Sequence, residues 1–291
     1  MLHVVQTLDP EFGGPARVAI ELAEAQARSG DLVELIAART SRASLADTRE
    51  STVRLTVTEL PVSWSPLTYC RGMARLLWRT IGRSDVVHVH GAYRLPPTTA
   101  AWITWFRGRP LVSRPHGTYD RVLRESPRGN RVLRYVYEQL LERPVLARPS
   151  TVVHCTSESE AEELRSALKL AGPVVVVGNG VATPPESGQP SPEVVRHSLG
   201  LHPESVVLLY LGRITAKKRL DLLLAGFAAA RLEQPRLELV VAGPDQEGLR
   251  RALDAAHHGV TWLPHADERM RELLFSAADV FVLTSGGRTS V

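Results

Sequence analysis

The chain has 291 residues, 44% hydrophobic and 23% charged, which suits two globular cores and excludes a disordered polypeptide. Of its 35 basic residues only Lys169, Lys217 and Lys218 are lysines, and the arginines are scattered rather than clustered, which argues against nucleic-acid binding. The charge is uneven: residues 1–150 hold 21 arginines against 14 acidic residues, net +7, while residues 151–291 are net −3, so two units with different partners are expected. Cys70 and Cys155 stand apart, with no CxxC pair and no histidine at ligand spacing, and read as inert thiols of a reducing compartment. No apolar run approaches the ~20 residues of a membrane span. The chain enters a strand at Leu2 without a signal-peptide pattern, so a cytoplasmic protein is expected.

In chain order, short β-branched runs alternate with segments of helical period. Strands are predicted around Val4-Val5, at Leu32–Ala37, Val86–His90, Pro110–Ser113 and Thr151–His154. Helical spacing joins Val18, Ile20, Leu22, Ala23 and Ala27, and later Leu133, Val136, Tyr137, Leu140 and Leu141. A proline-rich stretch from Ala182 to Pro192 interrupts the pattern. It then resumes: strand Val206–Leu211, helix Leu220–Ala230, strand Leu237–Ala242, helix Glu247–Ala256, strand Val260–Leu263, helix Arg269–Ala277 and strand Val280–Leu283. Alternation of this kind implies parallel sheets covered on both faces. The expected organisation is α/β: a Rossmann-like domain over 1–182, a linker over 183–204, and a partial second Rossmann-like domain over 205–291, facing the first across a cleft.

Four stretches carry chemistry. Gly13-Gly14-Pro15-Ala16 lies between the first strand and first helix, where glycine permits close backbone approach and the helix N-terminus offers N–H groups to a phosphate or hydroxyl. It is not GxGxxG, which disfavours a dinucleotide. Arg114-Pro115-His116-Gly117-Thr118 places His116 at a strand's carboxyl end; a surface histidine would look the same. Gly212-Arg213-Ile214-Thr215-Ala216-Lys217-Lys218-Arg219 opens the second domain's first helix with cations. Cations are unfavourable there unless an anion is bound, so this loop points to phosphate. Gly178-Asn179-Gly180-Val181 reads as a tight turn at the domain hinge.

Taken together these segments resemble glycosyltransferase family 4, retaining enzymes of the GT-B fold. Gly13-Gly14, His116-Gly117, Ser157-Glu158, Asn179-Gly180-Val181 and Gly212-Arg213 with Lys218 appear in the family's order, and Ala242-Gly243-Pro244 and Leu273–Leu283 add to the likeness. The resemblance implies a glycosyltransferase that moves a sugar from a nucleoside diphosphate to an acceptor hydroxyl with retention, in polysaccharide or cell-envelope glycan synthesis. It implies that Arg213 and Lys218 bind the donor diphosphate, that Gly13 and Gly14 approach donor or acceptor, and that His116 lies beside the transferred sugar. Pro264 and His265 would contact the nucleotide base. It implies no metal and no other cofactor, since there is no Asp-x-Asp and the Arg/Lys pair can take a metal's place. Arg219 stands where the family usually has Gly. After Ser285 the family continues into a glutamate-containing loop, whereas here Gly-Gly-Arg-Thr-Ser-Val follows. The expectation is therefore a C-terminally truncated chain whose own activity is in doubt. The implied partners are a nucleotide-sugar donor and a glycan or lipid-linked acceptor.

Residues 66–83 put Arg71, Arg75 and Arg79 at four-residue spacing with apolar residues on other faces, so one basic amphipathic helix is expected. Such a helix rests on an anionic membrane or packs on a core with a wet basic face. The rival readings are an inactive remnant that binds nucleotide weakly and a nucleotide-sugar epimerase on the same scaffold.

Overall fold

Successive residues of a strand point to opposite faces, and β1 (Leu2–Thr7) uses this to serve two different layers. Leu2 and Val4 enter one apolar core with Val87, Val89 and Leu111, while Val5 enters another with Val33, Leu35 and Ala37. The computed structural model describes residues 1–48, 54–119, 131–180, 190–245, 247–254 and 258–284. They form two compact units, Met1–Gly180 and a second within Val181–Thr289, each described by itself.

The first unit is a seven-stranded parallel sheet with strand order β3-β2-β1-β4-β5-β6-β7. The remaining strands are β2 (Val33–Arg39), β3 (Leu55–Pro61), β4 (Val87–His90), β5 (Leu111–Arg114), β6 (Thr151–Cys155) and β7 (Val174–Val176). Helix α1 (Gly14–Arg28) lays Ala19, Ile20, Ala23 and Ala27 on the Val5 side. On the Leu2 side lie α2 (Met73–Gly82) and α3 (Leu95–Phe106). Then α4 (Arg131–Tyr137) runs through a π-helical turn (Glu138–Glu142) into α5 (Arg143–Leu146), and α6 (Glu158–Leu168) packs Ala161, Leu164 and Leu168 against Val153 and Cys155.

The stretch expected as one helix over 66–83 divides. A 3-10 turn (Pro66–Thr68) precedes Gly72, whose φ of 87° starts α2 at Met73 and leaves Arg71 outside it. Met73, Leu77 and Ile81 are buried in the core, and Arg75 and Arg79 are exposed. The apolar face of α2 is therefore spent on the core. No described helix is long and apolar enough to cross a membrane.

The second unit has four parallel strands in the order β10-β9-β8-β11: β8 (Val206–Leu211), β9 (Leu237–Ala242), β10 (Val260–Leu263) and β11 (Val280–Phe281). Within the span expected to be linker, Pro192–Ser198 is a helix, α7. Its Val195 is buried, and Arg196 bonds the carbonyl of Ala277 and the carboxylate of Asp279 at 2.9 and 2.8 Å. These bonds make α7 part of the second unit. The other helices are α8 (Leu220–Glu233), α9 (Arg250–Asp254) and α10 (Glu268–Ala277). Asp245 fixes the start of α9, accepting from the Leu249 and Arg250 N–H groups at 2.9 Å each.

Candidate active site

In a parallel sheet the strand order reverses at one point, and the loops leaving the two strands there part to form a crevice. In the first unit that point falls between β1 and β4. A cavity of about 450 Å³ opens there, walled by Thr7 at the end of β1 and Phe12 beyond it, Pro15 and Ala16 of α1, and His90 at the end of β4 with Gly91 to Arg94 after it. Thr118, Leu133 and Tyr137 also line it, and Leu67 and Arg134 add an apolar and a basic group. Gly13, at φ 85°, turns the chain into α1 and, having no side chain, cannot itself cap that helix. Apart from Pro15, the first residues of the helix direct N–H groups to the cavity wall. Gly14 is exposed, with open space where a Cβ would stand.

A polar network supports this wall. Buried Glu142, on the π-helical turn, accepts from the Tyr93 N–H (2.9 Å), the Thr98 hydroxyl (2.9 Å) and the Tyr119 hydroxyl (2.7 Å). Burial pushes its carboxyl above the usual range, and those bonds pull the other way. Tyr137 donates to Thr98 at 2.9 Å, and Tyr93 donates to Glu138. Tyr93 and Leu67 hold positive φ (58° and 59°), backbone that non-glycine residues rarely adopt and that surrounding contacts must enforce.

His116, at φ 56°, follows β5 two residues before cavity-lining Thr118. Its Nε2 lies 3.2 Å from Nδ1 of His90, a cavity residue. The loop is anchored by Glu160, which accepts from the Gly117 N–H at 2.6 Å and from the Thr156 N–H and hydroxyl at 2.7 and 2.9 Å. The neighbouring Ser157 caps α6, accepting from the Glu160 N–H at 3.3 Å. Arg114, nearly fully buried, donates to Asn179 of the predicted hinge turn, so that turn ties β5 down; Val181 lies outside the described residues. Burial and the Arg114 charge push His116 down to about 3, so it is neutral at neutral pH.

The alternation of β1 and β4 adds an unpredicted feature. His3 and His88 are register partners, and His90, two residues on, shares their face. His3 Nδ1 meets His90 Nε2 at 3.0 Å, and His3 Nε2 meets Gln26 Oε1 at 2.6 Å. A His-x-His in a buried strand beside a histidine on the neighbouring strand is the signal that reveals the cluster. Nitrogens of His3, His88 and His90 lie within 4.8 Å of one another, close enough to consider a cation. Yet His3 and His90 already hydrogen-bond each other with those inward nitrogens, and the Arg114 charge disfavours a neighbouring cation. Their contacts make the arrangement a chain of imidazoles.

In the second unit the order reverses between β8 and β11. The loop 212–219 leaves β8 there. Gly212 donates to Ala242 and Ile214 to Pro244 at 2.9 Å each, so the loop packs on the Gly243 turn. Gly243 has φ 144°, and a Cβ on it would collide with the Gly212 backbone. Tyr210 donates its hydroxyl to the Arg213 carbonyl at 2.9 Å, and Ala216 N–H donates to Glu247 at 2.9 Å. Thr284, beyond β11, bonds the carbonyls of Lys218 and Arg219 at 3.1 and 3.0 Å, bridging the reversal point. Arg213 is exposed and Lys218, in the 3-10 turn Ala216–Lys218, is half-buried. Arg219 begins α8 at φ 48° and its guanidinium binds Asp221 at 2.9 Å. Pro264 and His265 are exposed just past β10. Arg213, Lys218, Pro264 and His265 thus all sit at the carboxyl edge of one sheet.

Comparison with known proteins agrees with this layout. Residues 12–183 match the sequence profile of Glycosyltransferase Family 4, and residues 205–290 that of Glycosyl transferases group 1. The chain is 34% identical over 185 residues to D-inositol 3-phosphate glycosyltransferase of Actinosynnema mirum, a stretch covering 58% of this chain and 41% of that protein. It is 37% identical over 97 residues to glycogen synthase of Thermus caldophilus, covering 32% of this chain and 21% of that one. The chain therefore spans less than half the length of these relatives. Among solved structures, Anabaena HepE in complex with UDP and glucose superposes with a TM-score of 0.69 at 17% identity, covering 99% of this chain and 75% of that one. The catalytic domain of Starch Synthase IV from Arabidopsis thaliana, bound to ADP and acarbose, gives 0.64 at 16% identity, covering 98% and 78%. At such identities these likenesses establish the shared fold. With its first unit matched almost throughout, the chain belongs to glycosyltransferase family 4.

Proposed function

We propose that this chain transfers a sugar, with retention, from a nucleoside diphosphate to an acceptor hydroxyl, in polysaccharide or cell-envelope glycan synthesis. The observation that carries the reading is the loop 212–219 at the strand reversal of the second unit. It presents Arg213 and Lys218 ahead of a helix whose own first turn is served only by Asp221. A diphosphate binds to the two cations, which stabilise charge on the departing nucleotide without a metal. Pro264 and His265 contact the base. Support comes from relatives whose structures hold UDP with glucose, or ADP.

In the first unit the acceptor occupies the 450 Å³ cavity, with Gly13 and Gly14 at its helix N-terminus and His116 beside the transferred sugar. Leu67, Leu133, Phe12 and Tyr93 form an apolar wall beside Arg94 and Arg134, which suits an acceptor with an apolar part and an anionic group. A lipid-linked phosphate has both. Exposed Arg71, Arg75 and Arg79, with Trp78 47% exposed among them, supply electrostatic contact with an anionic membrane at its cytoplasmic face.

The test is release of nucleoside diphosphate from a panel of nucleotide sugars, with and without glycan and lipid-linked acceptors. Arg213→Ala and Lys218→Ala should each weaken kcat/KM about 10- to 100-fold, the range for a charge-assisted phosphate bond. Unaltered turnover in both variants would reject the diphosphate assignment. Cosedimentation with anionic vesicles, lost on replacing Arg71, Arg75 and Arg79 by Gln, checks membrane contact.

A further inference from the structure

The proposed reaction gives no task to Gln26, His3 and His90, yet these three connect end to end with His116. We propose that they form a relay fixing the tautomer of His116, so that its Nδ1 is bare and accepts a hydrogen bond from a sugar hydroxyl. The consequence for turnover rests on the reading of His116 as a sugar contact; the tautomer rests on the relay geometry alone.

A neutral imidazole has one N–H and one lone pair, so a row of hydrogen-bonded imidazoles can point only one way at a time. The row starts at Gln26 Oε1, which can only accept, 2.6 Å from His3 Nε2. His3 therefore carries its proton on Nε2 and offers Nδ1 as acceptor. His90 Nε2, 3.0 Å away, must donate to it, leaving His90 Nδ1 bare. His116 Nε2, 3.2 Å from that atom, must donate in turn. All three rings end as the Nε2–H form, and the lone pair left over is His116 Nδ1. That atom receives no hydrogen bond from the described residues, so a ligand hydroxyl can donate to it.

Two features keep the row from scrambling. His3 and His90 are fully buried, and burial holds all three rings neutral, with His3 at about 4 and His116 at about 3. No extra proton is therefore available at neutral pH to reverse the order. His88 stays outside the row: its ring packs on His90 with centroids 4.3 Å apart, and its buried Nε2 has no partner. Gln26 is half-buried on α1, so its side chain can be exchanged without opening a core cavity.

The test is long-range 1H–15N correlation on the full chain labelled with 15N-histidine, with His116 assigned by the loss of its signals in His116→Ala. The wild type should show His116 as the Nε2–H form. Gln26→Lys replaces an acceptor by a donor, and should reverse the row so that His116 becomes the Nδ1–H form. Its kcat/KM should fall about tenfold, the value of one lost hydrogen bond. Gln26→Met removes the anchor and should give both forms, with kcat/KM within about threefold of wild type, since a mixed population forfeits only a fraction of active molecules. An Nδ1–H form in the wild type, or no change in Gln26→Lys, overturns the relay. Reversal of the tautomer with unchanged kcat/KM overturns the sugar contact while the relay stands. One equivalent of zinc in the purified protein, lost in His3→Ala, also overturns the relay, because its nitrogens would then be ligands.

Discussion

At Arg219 the backbone stands at φ 48°, where a Cβ crowds the following carbonyl, and the side chain turns aside to Asp221. This explains why glycine is usual at that place in the family's basic loop, and why Lys218 is the cation assigned to phosphate. Replacing Arg219 by Gly should leave donor binding intact and raise the second unit's melting temperature by about 2 °C, because the left-handed strain is relieved and only an exposed ion pair is lost. A fall in melting temperature, or weaker donor binding, would show that Arg219 does more. Gly243 is the converse case: φ 144° and the Gly212 backbone both exclude a side chain. Gly243→Ala should destabilise the second unit by about 3 kcal/mol, measured by denaturant unfolding, since backbone strain and a clash that cannot relax add together. The glycines and the cations of this loop are legible in the sequence because each residue type serves a single physical need. Glu160 is less legible. Its Ser-x-x-Glu spacing with Ser157 signals a helix cap, and nothing local reveals that the same carboxylate holds the Gly117 N–H forty-three residues away.

Among the elements, the paired strands β1 and β4 govern the first unit's response to pH. His3, His88 and His90 are each pushed below the ordinary histidine range, first by burial. They stay neutral when folded and gain protons when unfolded, so the unfolded state binds more protons below about pH 6.5. Their stabilising contribution is complete above that pH and is lost as pH falls. For His3 the window runs from 6.5 down to about 4 and amounts to about 3 kcal/mol. Denaturant midpoints of the first unit should therefore drop steeply between pH 7 and 5. A flat profile would mean the rings are not neutral in the folded chain. Most strands of both sheets were legible as apolar runs, since a parallel strand covered on both faces has little room for polar residues. β3 gives a weak signal because it is an edge strand, with exposed Thr56 between half-buried Leu55 and Val57. The α7 helix is hidden by the proline-rich stretch before it, although Pro192 at its first turn is itself a helix-start residue. The histidine cluster was not legible from single strands, since only the β1–β4 register brings His3 opposite His88.

At the scale of the whole chain, the candidate region of each unit is at the point where the strand order of its sheet reverses. Within each unit the sheet brings distant residues to one edge: Gly13 and His90 at the β1–β4 reversal of the first, and Arg213 and Thr284 at the β8–β11 reversal of the second. The first unit offers a cavity with apolar and basic walls, and the second a cationic loop held by its own backbone. The central claim is retaining transfer from a nucleotide sugar, and the anomeric configuration of the product tests it most directly. Proton NMR of the freshly formed glycoside, made by this chain with its preferred donor, should show the donor's own anomeric configuration, and Arg213→Ala should slow its formation about 10- to 100-fold. A product of inverted configuration, or no acceptor-dependent release of nucleoside diphosphate from any donor, would contradict it.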